Sequence, residues 1–150
     1  MIIQRINRTN PEKAFVVVRN DEAAALTKGE LSAFKFDATR DGLDVEEANA
    51  AANAHLIAGV NDSAIAASGY GLVQCYGVRT DAVIIKSGTT TAKNAAVGDA
   101  LIYDSSITGL SGVAAGAASA YFPGFVMGET MASSSASGGT TTATIFIRLM

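Results

Sequence analysis

The stretch that most constrains this chain is Gly69-Tyr70-Gly71-Leu72-Val73-Gln74-Cys75-Tyr76-Gly77-Val78, followed after Arg79-Thr80-Asp81 by Ala82-Val83-Ile84-Ile85-Lys86. Aromatic and β-branched residues bracketed by glycines read as strands, and the polar triplet between them reads as their turn. Side chains alternate across a strand, so Tyr70, Leu72, Gln74 and Tyr76 face one way and Gly71, Val73, Cys75 and Gly77 the other. One face is small and apolar, the other large and mixed. Ala96-Val97-Gly98-Asp99-Ala100-Leu101-Ile102-Tyr103 returns after the polar loop Ser87-Gly88-Thr89-Thr90-Thr91, so the middle third reads as a β-meander.

Composition sharpens the class. With 150 residues the chain reads as a single β-rich domain over 12–150, preceded by an extended arm over 1–11. Hydrophobic residues make up 49%, but aromatics only 7% with no Trp, so the core is built from Val, Ile, Leu and Ala. Fifteen glycines among many Ser and Thr supply the turns of an all-β domain. Charged residues at 17% leave a surface poor in charge, of the kind that partners cover, and oligomerisation is expected. A net charge of −3 argues against nucleic-acid binding, which needs a concentrated basic face. Arg5, Arg8, Lys13, Arg19, Lys28, Lys35 and Arg40 nevertheless gather in the first forty positions, either as solvated residues or as a basic arm for an acidic partner. Cys75, alone, forms no internal disulfide and reads as an inert core residue of a reducing compartment. Met1 to Arg8 is too short and polar for a signal peptide, and no apolar run has the ~20 residues of a membrane-spanning helix. Synthesis in a host cytoplasm with no membrane partner is the expectation.

In chain order, Ile2, Ile3 and Ile6 lie in the arm, where Pro11 holds Asn10 extended. Ala14 to Arg19 and Leu31 to Asp37 read as strands. Asp44 and Glu47 stand at the spacing of a capping box before an Ala-rich run, which predicts one short helix over about 45–58 closed by Gly59. Val60 to Ala67 reads as a loop with Ile65 tucked into the core. Gly109 to Ala120 reads as a small-residue loop, Tyr121 to Gly128 as a strand, and Thr140 to Leu149 as the final strand. Ile57-Ala58-Gly59-Val60 and Pro123-Gly124-Phe125-Val126 form a faint internal echo, as two stacked β-motifs would.

No motif carries catalysis. His55 is the single histidine and has no carboxylate or thiol at ligand spacing beside it. Glu46-Glu47 and Asp41/Asp44 are accounted for by capping and a solvated turn. Gly69-Tyr70-Gly71 lacks the third glycine of a dinucleotide fingerprint and opens a strand rather than a helix. Ser87 to Lys93 lacks the glycine and lysine order of a phosphate loop, and Gly98-Asp99 reads as a tight turn entering a strand. The expectation is a non-enzyme with no cofactor, metal or small-molecule substrate.

The run Gly69 to Gly77 with its Val73-Gln74, the Ala96-Val97-Gly98-Asp99-Ala100-Leu101 turn-strand, the Gly/Ala loop through Gly116, Phe125-Val126-Met127-Gly128 and the closing Thr144-Ile145-Phe146-Ile147-Arg148-Leu149 together resemble the head decoration, or capsid cement, proteins of tailed bacteriophages. The resemblance covers roughly residues 55–150. It implies a small β-barrel or β-tulip domain that forms a homotrimer on the outer capsid surface of the virion and bridges neighbouring major capsid proteins. In that setting Ile2, Ile3 and Ile6 fill apolar grooves or add to a strand edge, and Arg5 and Arg8 meet capsid carboxylates. The rival expectation is a glycan-binding or adhesive β-domain displayed on a virion, for which Tyr121-Phe122 is the aromatic platform.

Overall fold

The structure, a computed structural model, describes residues 12–36, 42–49, 56–85, 96–104, 109–112, 124–129 and 140–149. Among these the chain is mainly β, with nine strands and no helix: β1 (Ala14–Asn20), β2 (Leu31–Phe34), β3 (Asp44–Glu47), β4 (Ile57–Asn61), β5 (Tyr70–Ile85), β6 (Ala100–Asp104), β7 (Gly109–Gly112), β8 (Phe125–Met127) and β9 (Thr140–Arg148).

The pairings close two rings. In the first, β1 runs parallel to β3, and β3–β2, β2–β4, β4–β5 and β5–β1 are antiparallel. In the second, β5 runs parallel to β7, and β7–β6, β6–β8, β8–β9 and β9–β5 are antiparallel. The second circuit repeats the first strand for strand, and β5 ends one ring and begins the other. Backbone bonds repeat too. Gly29 N–H donates to Asn61 O and Asn61 N–H to Glu30 O, while Gly98 N–H donates to Met127 O and Met127 N–H to Asp99 O. Leu31, Ala33 and Val60 therefore correspond to Ala100, Ile102 and Val126, as their registers also require. The faint echo noted around Gly59 and Gly124 falls at the corresponding strands β4 and β8.

Each ring closes through a thin parallel seam, two residue pairs between β1 and β3 and one between β5 and β7. The first core holds Val18, Leu26, Val45, Ala58, Ile65 and Val73. The second joins Ala82, Ile84, Leu101, Met127, Ile145 and Ile147 to Leu31, Ala33 and Val60 from the outer face of the first ring. Ala58 and Val60 would share a face in a regular strand. Gly59, at φ +145° opposite a register shift, sends them to different cores.

Three sequence expectations are corrected. Arg79-Thr80-Asp81 is not a turn: β5 is one 16-residue strand, and Thr80-Asp81 form a bulge against β9 between Arg79 and Ala82. The helix expected over about 45–58 has strands at both ends, with residues 50–55 outside the described set. Asp44, its supposed cap, is buried against Arg19, and Val45 fills the first core. Gly109–Gly112 and Ile57–Asn61, expected within a loop and at the end of the helix, are strands β7 and β4. Ile65 is buried as expected, and Gly98-Asp99 forms the expected turn, with Asp99 N–H donating to Ala96 O.

Candidate functional site

The bulge in β5 brings charge to the place where the rings meet. Arg79 points inward from the strand with its side chain 4% exposed; Nη1 donates to Asp62 Oδ1 at 3.0 Å and Nη2 to the Asp62 carbonyl at 3.3 Å. Its Nε lies 2.7 Å from Asp81 Oδ1, a close ion pair whose angle falls short of a hydrogen bond. Lys28 Nζ meets the other Asp81 oxygen at 2.8 Å. A cleft of about 280 Å³ opens here, lined by Lys13, Lys28, Asp62, Arg79, Thr80 and Asp81. Burial pushes the Asp81 carboxyl up, but Lys28 and Arg79 outweigh it and hold it below its ordinary value. Each carboxylate already holds a cation, so the cluster ties the loops at Lys28 and Asp62 to the bulge. Sequence reading missed it because the β4 end at Asn61 reaches the bulge only through the Gly29 loop, where Gly29 N–H donates to Asn61 O and Val83 N–H donates to Gly29 O.

A second network staples the first seam. Arg19 Nη1 reaches Asp21 Oδ1 at 3.0 Å and Asp44 Oδ1 at 3.3 Å, and Lys35 Nζ reaches Asp21 Oδ2 at 2.6 Å. The Asp21 carboxyl lies below its ordinary value, held there by Lys35 and then by Arg19.

The outer surface is apolar in two places. Phe15, Val17, Tyr70 and Leu72 are exposed on the outer face of β1 and β5, where Val17 pairs directly with Leu72. Val97 is 63% exposed beside Gly98 at the far side of the second ring. Exposed apolar patches are a usual mark of interaction surfaces.

The arm residues Ile2, Ile3, Arg5, Ile6 and Arg8 lie outside the described residues, as do His55, Ser87–Lys93 and Tyr121-Phe122. Cys75 is buried, its thiol donates to Ala14 O, and burial pushes its pKa up, away from a reactive thiolate. Among the described residues no three His, Cys, Asp or Glu side chains gather as metal ligands do. No helix among them is long and apolar enough to cross a membrane. No family model matches the chain, and no curated protein matches it.

Proposed function

We propose that this chain is a non-enzymatic structural protein of a tailed-phage virion that binds the outer surface of the capsid and stabilises it by bridging major capsid proteins. What carries the reading is the resemblance of Gly69–Gly77, Ala96–Leu101, Phe125–Gly128 and Thr144–Leu149 to the motifs of capsid cement proteins, and these runs fall on β5, the turn into β6, β8 and β9, which are connected by their pairings. A surface poor in charge with exposed apolar faces supports it, since a clamp works by burying area at several interfaces at once. A homotrimer multiplies modest contacts through high effective concentration, and binding to the assembled shell stabilises that state by mass action. In this reading Ile2, Ile3 and Ile6 supply the arm's apolar contacts, and Arg5 and Arg8 its contacts with shell carboxylates.

The test is co-sedimentation of purified protein with purified expanded capsids. Saturable pelleting at a fixed ratio to the capsid protein is the expected result, and a variant lacking residues 1–8 should stay folded and remain in the supernatant. Full decoration by the truncated chain would remove the arm from the interface. A chain that ignores capsids but binds immobilised glycans would replace the proposal with the adhesive reading.

A further inference from the structure

The two rings are joined by one specific face of the first ring. Its Gly29 loop sits on the seam side of β5: Gly29 O accepts from Val83 N–H at 2.8 Å, Lys28 pairs with Asp81, and a Cβ on Gly29 would collide with the Asp81 carbonyl. Behind that loop Leu31, Ala33 and Val60 are at most 1% exposed, although they point out of their own ring, because the second ring covers them.

The second ring carries the same face with no described element packed on it. Gly98 corresponds to Gly29 and shares its conformation, φ +90° against +82°, yet a Cβ there would meet no described atom within 4 Å. Ala100, Ile102 and Val126, the counterparts of Leu31, Ala33 and Val60, are only half-buried, and Val97 stands exposed beside them.

Among the described residues, the corresponding edge of β1 is unpaired on its β3 side before Arg19. Asp81 and Val83 of β5 correspond to the Val17–Arg19 end of β1, because Val73 and Ile145 occupy equivalent registers against β4 and β8. There Val17 is 60% exposed, flanked by Phe15, Leu72 and Tyr70. Arg19 N–H donates to Leu43 O, across the seam, so the alternate N–H of Val17 points to the same side, away from β5, and no described residue accepts it. Five of the six large hydrophobics exposed among the described residues lie on these two surfaces: Phe15, Val17, Tyr70, Leu72 and Val97.

We infer that a junction of the same kind forms between molecules, shifted two residues along β1 because Arg19 N–H, the counterpart of the Val83 donor, is taken by Leu43 O: the face of Val97, Gly98, Ala100, Ile102 and Val126 docks on the β1 side of a second copy of this chain, at Val17 with Phe15, Tyr70 and Leu72. The contact is head-to-tail. Such an interface uses two different patches and closes into a ring when the rotation allows. The inference goes beyond the capsid reading and requires no capsid, so the solution mass of the free chain tests it alone.

The experiment is light scattering on the full chain at about 100 μM, a concentration at which interfaces of micromolar affinity are populated. Wild type should show a multiple of the 15.3 kDa chain mass. Val17→Lys, which blocks the receiving patch, and Ile102→Lys, which blocks the docking patch, should each run as monomers with wild-type circular dichroism. Val97→Asp serves as a second block of the docking patch should Ile102→Lys misfold. Mixed one to one, Val17→Lys and Ile102→Lys each keep one intact patch and should restore a species of twice the chain mass. A monomeric wild type, folded variants that keep the wild-type mass, or a mixture that stays monomeric would each overturn the inference.

Discussion

Gly77 stands at φ +101°, where the strand passes from one ring to the next, and a Cβ there would collide with the Glu12 carbonyl. Only glycine takes this backbone without strain while letting the chain just before β1 pack so close. Gly77→Ala should therefore lower stability by roughly 2–4 kcal/mol, from backbone strain and displacement of the start of β1, as read by urea denaturation. The ionisable residues set the acid limb. Asp21 and Asp81 titrate below the ordinary 3.8 in the folded chain, so their contribution is present above about pH 4 and is lost as the pH falls through their lowered values. Glu30 has the opposite sign: burial raises it above 4.5, so its charged form costs stability that is regained as the pH falls through the raised value. Melting temperature against pH should show that gain first and a loss below about pH 4. Combining Asp21→Asn with Asp81→Asn should flatten the loss, and Glu30→Gln should remove the gain.

At the scale of elements, the shared strand makes the two cores one cooperative unit. Ile65→Ala in the first core and Ile145→Ala in the second should each cost about 2–5 kcal/mol and shift the same single transition. A second transition, separable by tyrosine fluorescence and circular dichroism, would show that the rings unfold apart. The strands with their own apolar pattern were legible in the sequence: Ala14–Asn20, the two halves of β5, and Thr140–Arg148. The short strands β3 (Asp-Val-Glu-Glu) and β7 (Gly-Leu-Ser-Gly) were not, because their own residues favour caps and loops and only pairing with β2 and β6 makes them strands. Arg79-Thr80-Asp81 carries every local sign of a turn, and the strand that overrides those signs, β9, pairs Arg79 with Ile145 and Ala82 with Ala143, more than sixty positions away. The docking face was hidden for a related reason. Ala100, Ile102 and Val126 look ordinary until the repeat sets them against buried Leu31, Ala33 and Val60.

For the whole molecule, the decisive contacts are distant in sequence. Every pair between β1 and β5, and between β5 and β9, joins residues more than fifty positions apart. Chains dominated by such pairings fold in milliseconds to seconds rather than microseconds, and stopped-flow refolding should fall in that slower range. Two rings of five offer ten strand places, and the chain fills them with nine strands. The protein therefore has no point at which it can be divided into two complete halves. A fragment ending at Ile85 and one beginning at Gly69 must each carry their own copy of residues 70–85 to close. Mixed together, the two fragments would hold one strand too many and would compete for a single place.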